Sequence, residues 1–215
     1  MKRPTRVALP QQERSKESLE RVMQAGLEIL AEGGWQEFTM ARVCERAGVS
    51  VGMVYRRFHG REDLLLALQN RWIGAAASGV DALRAETTDW TTLDARAALR
   101  HCIVAFINVL RLEEDRTRVL GVQSAIDGEM LAGLRESSHQ YADWFRNVLL
   151  RYADEITAED PADAIDFAFR AVFDMTIRRI THGDDYTTGR TVGDWDAFAD
   201  RLTELCAAYL FLPSR

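Results

Sequence analysis

Residues 39–58 read Thr39-Met40-Ala41-Arg42-Val43-Cys44-Glu45-Arg46-Ala47-Gly48-Val49-Ser50-Val51-Gly52-Met53-Val54-Tyr55-Arg56-Arg57-Phe58. Met40, Val43, Cys44 and Ala47 recur at i, i+3, i+4 and i+7, the spacing of one buried helical face, and Thr39 ahead of them is a good N-cap. Gly48 ends that helix where the chain must turn, because a residue without a Cβ takes left-handed backbone at no steric cost. Ser50 is placed to cap a short helix over 51–58, with Val54 and Phe58 inward at i and i+4 and Tyr55, Arg56 and Arg57 outside. Ala47 and Gly52 let two helices cross closely, and Val49 buries the turn. This is helix-turn-helix geometry, which leaves the second helix free to enter a major groove with its N-terminal residues at base edges.

Working outward, Leu19, Val22, Met23, Gly26, Ile29 and Leu30 define a preceding helix from Ser15 that Gly33-Gly34 stops. Residues 1–14 form a polar arm, basic at Lys2, Arg3 and Arg6. Beyond Gly60, Glu62 and Asp63 suit the first turn of a fourth helix, where carboxylates meet the positive end of the dipole. Leu64, Leu65, Leu68 and Trp72 carry that helix toward Leu83, long enough to connect two domains. A fifth, over 93–112, is apolar around most of its circumference and should be central; a shorter one follows near 116–125. Leu134, Tyr141, Phe145, Val148 and Tyr152 form the stripe of a seventh. Asp160-Pro161 starts an eighth, running to about Ile180, and Asp194 caps a ninth that ends before Pro213. The apolar spacing is helical throughout, so the expected fold is all-α with about nine helices: an N-terminal helix-turn-helix domain over 15–60 and a larger helical domain over 61–215.

Composition narrows the function. The 215 residues carry a net charge of −6, unevenly: residues 1–71 hold 12 Lys/Arg against 9 Asp/Glu, the remainder 15 against 24. A mildly basic head on an acidic body fits an N-terminal element that faces phosphates. Cys44, Cys102 and Cys206 are odd in number and far apart, which suggests neither a disulfide framework nor a zinc site. The start lacks an apolar signal core and no apolar run is long enough to span a bilayer, so a cytoplasmic protein without membrane association is expected.

The central block resembles the signature of the TetR-type transcriptional regulators. The resemblance runs from Thr39-Met40-Ala41-Arg42-Val43 through Glu45 to Phe58 and on to Gly60-Arg61-Glu62-Asp63-Leu64-Leu65; Glu32-Gly33-Gly34-Trp35 fits upstream, and it covers roughly residues 15–70. It implies a DNA face of Thr39, Arg42, Ser50, Val51, Gly52, Met53, Tyr55, Arg56, Arg57 and Arg61. Thr39, Tyr55 and Arg57 would hold phosphates, Val51, Gly52 and Met53 would approach base edges, and Arg56 could serve either purpose. Arg61 stands where the family usually has lysine and should keep a phosphate contact. Cys44 stands where alanine is common, and a thiol packs there equally well.

The same resemblance implies a homodimer on a double-stranded DNA operator, joined through the last two helices. It also implies a small-molecule effector among helices 4 to 8, with Trp72, Phe106, Gln123, Tyr141, Trp144 and Phe145 as candidate lining residues. The sequence supports the dimer separately, since Ala164, Phe167, Ala168, Ala171, Phe173 and Met175 leave the eighth helix apolar over more than one face. The fullest reading is a repressor released from a palindromic operator by a ligand; a ligand-independent regulator of the same fold is the alternative. Glu136-Ser137-Ser138-His139 has the E-x-x-H spacing of di-iron bundles, but such sites need a second copy and two further carboxylates. No catalytic residue, metal or cofactor is expected.

Overall fold

The computed structural model describes residues 11–123, 128–186 and 188–212, with side chains at 14–120, 132–133, 135–186 and 188–212. Lys2, Arg3 and Arg6 of the arm, the side chains of Gln123 and Leu134, Ala125 and Pro213 lie outside the described residues. Among those described there are nine α-helices and no strand. The chain divides between Arg71 and Trp72 into two units, and no described helix is long and apolar enough to cross a membrane.

In the first unit, α1 (Gln11–Glu37) kinks where Gly34 takes φ 63°, ψ −160°. Residues 11–14, expected in the arm, are helical, because no breaker stands between them and Ser15. α2 (Met40–Ala47) buries Met40, Val43, Cys44 and Ala47, the four positions its periodicity selects. Thr39 accepts the Arg42 N–H at 3.4 Å, and Gly48 at φ 63°, ψ 41° turns the chain back so that its own N–H reaches the last carbonyls. Arg21 of α1 donates to the Ala47 carbonyl at 3.1 Å, filling an acceptor the helix end leaves open.

α3 spans only Val51–Tyr55, three residues short of the expected end. The Arg57 and Phe58 N–H groups both converge on the Val54 carbonyl, which closes the helix in a turn. Ser50 occupies the N-cap position, but its hydroxyl makes no capping bond; its carbonyl alone receives the Met53 and Val54 N–H groups. α4 (Arg61–Arg84) begins within this unit, where Leu64 and Leu68 are buried.

In the second unit, a 3-10 turn (Trp90–Thr92) precedes α5 (Ala95–Leu112), which Asp94 caps by accepting the Ala97 N–H at 2.7 Å. Burial of Ala98, Leu99, Cys102, Ile103, Phe106 and Ile107 makes α5 the central helix. Around it stand α6 (Glu114–Gln123), α7 (Gly128–Leu149), α8 (Pro161–His182) and α9 (Trp195–Phe211). Tyr152, expected on the α7 stripe, lies in a 3-10 turn over Leu150–Glu155, its backbone non-helical at φ −113°, ψ 24° and its hydroxyl donating to the Trp90 carbonyl at 2.5 Å.

Asp160 caps α8 as its position demands, accepting the Ala162 and Asp163 N–H groups at 3.0 and 3.1 Å. Asp160→Ala should therefore cost about 1 kcal/mol. In a thermal melt that is a fall of roughly 2–4 °C for a chain of this size, and an unchanged midpoint would show the cap contributes nothing.

Candidate nucleic-acid interface and effector site

The exposed side of α3 is set by its one buried residue. Val54 is 1% exposed, whereas Val51 and Tyr55 are each 50% exposed and Gly52, Arg56 and Arg57 also face solvent; Met53 is half-buried. A Cβ on Gly52 would meet nothing within 4 Å, so that stretch of backbone stands open to close approach. The Ser50 hydroxyl and the Arg56 guanidinium have no partner among the described residues. Thr39 uses its Oγ1 only as an acceptor, which leaves its O–H proton available to a phosphate.

The remaining arginines are held by neighbours. Arg42 pairs with Glu37. Arg57 Nη2 donates to Ser15 Oγ of α1 at 2.8 Å. Arg61 Nε donates to Glu62 at 3.2 Å while its guanidinium lies 4.3 Å over the Trp35 ring. Asp63 anchors the start of α4: the His59 N–H, and then its ring nitrogen, hold that carboxyl below the ordinary carboxylate range. Ser15 and Trp35 thus join the surroundings of the site. Helical periodicity carries no sign of Ser15, since its partner is 42 positions away; the signature block contains Trp35 without giving it a role.

The residues read as effector-lining sit in the core of the second unit. Phe106 is fully buried, with the Tyr141 and Phe169 rings each 5.3 Å from its own and Phe173 at 6.0 Å. Phe145 packs on Phe169 at 5.3 Å, and Trp144 is buried beside it. Tyr141 donates to the Ala76 carbonyl at 2.8 Å, and burial pushes its phenol pKa up, so it stays neutral. Trp72 Nε1 donates to Thr117 Oγ1 at 3.1 Å in a buried contact. Open space begins one ring further out: a cavity of about 480 Å³ lies between α7 and α8, floored by Phe169 and Phe173 and walled by the paired Arg146 and Asp166. A second, of about 630 Å³, lies along α5 with the Glu86–His101 pair on its wall.

Glu136 of the E-x-x-H accepts from Gln140 at 3.1 Å, and no group of three His, Cys, Asp or Glu among the described residues stands where a metal could be held. The three cysteines are buried and form no disulfide; burial pushes the Cys102 thiol far above its ordinary pKa and the Cys206 thiol up to about 11, which keeps both protonated and inert.

A short exposed helix behind a glycine turn, packed on the capped α2 and followed at once by the unpartnered Arg56, has the geometry of a helix-turn-helix reading head. Residues 22–68 match the family described as bacterial regulatory proteins, tetR family. An HTH-type transcriptional regulator of Mycobacterium tuberculosis is 28% identical over 151 residues, 70% of this chain and 69% of that one. The HTH-type transcriptional activator FasR of Mycolicibacterium smegmatis is 31% identical over 97 residues, 45% of this chain and 42% of its own. A tetR-family protein from Rhodococcus RHA1 shares the fold with a TM-score of 0.66 at 19% identity, covering 90% of this chain and 96% of that one. FadR of Bacillus subtilis, solved in complex with stearoyl-CoA, does so at 0.60 and 18%, covering 89% and 98%. Residues 22–68 thus form a TetR-family DNA-binding segment, and the chain as a whole is similar to HTH-type transcriptional regulators and shares the fold of tetR-family proteins.

Proposed function

We propose that this regulator acts as a homodimer on a nearly palindromic operator, as a repressor that a small, largely apolar effector releases. The observation that carries the dimer is an uncovered apolar face on α8 and α9. Phe167, Met175, Leu205 and Tyr209 are 44–55% exposed, and the Phe167 and Tyr209 rings lie 5.4 Å apart across the two helices. Large apolar groups left in water on two adjoining helices are the surface that a second copy buries. A two-fold axis there supplies two copies of α3 for successive major grooves.

Division of labour on the DNA follows from chemistry. The guanidinium groups of Arg57 and Arg61 neutralise phosphates and set affinity, while Val51 and Met53 meet base edges and set sequence choice. Arg57→Ala or Arg61→Ala should weaken binding to every duplex and flatten the plot of log affinity against log salt by about one unit for each phosphate that is no longer neutralised in the complex. Substitution of Val51 or Met53 should change which sites are preferred. Arg57→Ala binding as tightly as the parent across a salt series would remove α3 from the backbone.

The effector would act on the aromatic core, where Phe169 and Phe173 form both the cavity floor and one layer of the packing around Phe106. A stearoyl-CoA complex of the Bacillus subtilis FadR, which shares the fold, supports small-molecule control in this architecture. α4 begins at Arg61 and passes Trp72, so a displacement along it couples effector to DNA. The coupling is reciprocal, typically about 1–3 kcal/mol. The ligand-free reading has its own support, since Phe106, Tyr141 and Phe145 fill the core with their own rings. A thermal-shift screen followed by operator titration decides between them: hits that weaken operator binding support effector control, and stabilising hits that leave it unchanged oppose it.

A further inference from the structure

The geometry points to Trp35 as a positioning residue for DNA binding, holding the Arg61 guanidinium in the orientation in which it meets a phosphate; this rests on the assignment of Arg61 as a backbone contact. The Arg61 fork has three engaged or open sides. Its Nε–H is taken by Glu62 at 3.2 Å. One face is laid on the Trp35 indole at 4.3 Å, well inside the distance at which a ring's negative face attracts a cation. The outer edge, with both Nη groups, has no partner among the described residues, and the side chain is 37% exposed. Four N–H bonds on that edge remain to donate, in the planar arrangement that matches two phosphate oxygens at once.

Trp35 is itself fixed. It follows Gly34, whose positive φ kinks the end of α1, and its ring lies 5.7 Å from that of Phe38, which is fully buried. The indole is half-buried, with a rigid aromatic behind it and a cation in front. An arginine side chain free in water gives up rotamer entropy when it is fixed. An Arg61 already laid on a ring has less of that to lose when DNA arrives, which is the physical content of preorganisation.

The test uses the full-length chain and the duplex recovered from a random DNA pool, with affinity measured across a salt series for parent, Trp35→Leu, Arg61→Ala and the double variant. Trp35→Leu is expected to weaken binding on the order of five-fold, the measure of an exposed cation–π contact, and to flatten the salt slope as Arg61→Ala does. In the Arg61→Ala background Trp35→Leu should have no further effect. Because leucine also disturbs packing on Phe38, the second arm replaces Trp35 site-specifically with indoles of increasing fluorination, which keep the shape and drain the ring's negative face. Affinity should fall in step with fluorine number, and the melting temperature should stay constant. Additive effects of Trp35→Leu and Arg61→Ala, or affinity indifferent to fluorination, would overturn the role of Trp35 while leaving Arg61 on the DNA. If Arg61→Ala itself binds like the parent, the backbone contact falls and the proposal with it.

Discussion

A protein carrying Phe167→Glu and Leu205→Glu is expected to fold, to sediment as a monomer and to bind its operator on the order of a hundredfold or more weakly. The first expectation follows from exposure. Both side chains are more than half exposed within one subunit, so carboxylates there leave the subunit core, from Leu99 to Phe169, as it was. The second follows from symmetry. Across a two-fold axis every substitution counts twice, each removing about 1.5–3 kcal/mol of apolar burial and setting like charges face to face. The third follows from linkage: two reading heads held together bind a two-part site about 10²–10⁴ times better than one head alone. Sedimentation velocity and operator titration on the same sample check it. A dimer that persists, with operator affinity intact, would move the interface off α8 and α9.

The second large effect is in the aromatic core. Phe106→Ala removes a ring with no solvent exposure that touches Tyr141, Phe169 and Phe173. The loss of transfer energy plus the cavity left behind should cost about 3–5 kcal/mol. At roughly 2–4 °C per kcal/mol, the melting temperature falls by about 6–20 °C. The surrounding rings are too large to relax into the gap, so the variant should also bind small aromatic compounds in the new space, as dry apolar cavities do. A fall below about 2 °C, at the scale of a single kcal/mol, would mean that the volume around Phe106 was already open.

The first unit is legible in the sequence because its rules are local. The buried face of α2 is fixed by spacing over eight residues, and Gly48 is dictated by the turn; likewise Asp160 and Asp194 announce their helices from the first residue. Sequence reading fails where a local rule has a competitor. Ser50 sits at an N-cap yet makes no side-chain bond, because the cap preference describes what a hydroxyl can do, not which way it rotates. Phe58 fits the α3 periodicity, but the chain tightens on the Val54 carbonyl first. Tyr152 continues the α7 stripe in spacing while its backbone has left the helix, drawn off as its hydroxyl reaches the Trp90 carbonyl.

The site is legible in part for the same reason. Exposure along α3 follows from Val54 being its inward residue. Ser15 and Trp35, the α1 residues that hold Arg57 and Arg61, are brought near only by folding; Glu62, the other partner of Arg61, is its neighbour in sequence. For the effector, periodicity shows that Phe106, Tyr141 and Phe145 point inward; it is silent on whether the space they face is filled by a ligand or by other rings. Phe169 and Phe173, which floor the open cavity, lie on α8, where the same apolar pattern reads as a dimer surface. On that one helix Phe167 and Met175 face outward while Phe169 packs toward α5 and α7.

Selection of bound duplexes from a random DNA pool by the full-length chain puts sequence-specific binding by a symmetric dimer to its strictest test. A nearly palindromic sequence should be enriched, its half-site centres about 10 base pairs or a multiple of that apart, occupied by an even number of chains. No enriched sequence, or a single asymmetric half-site occupied by one chain, would contradict it.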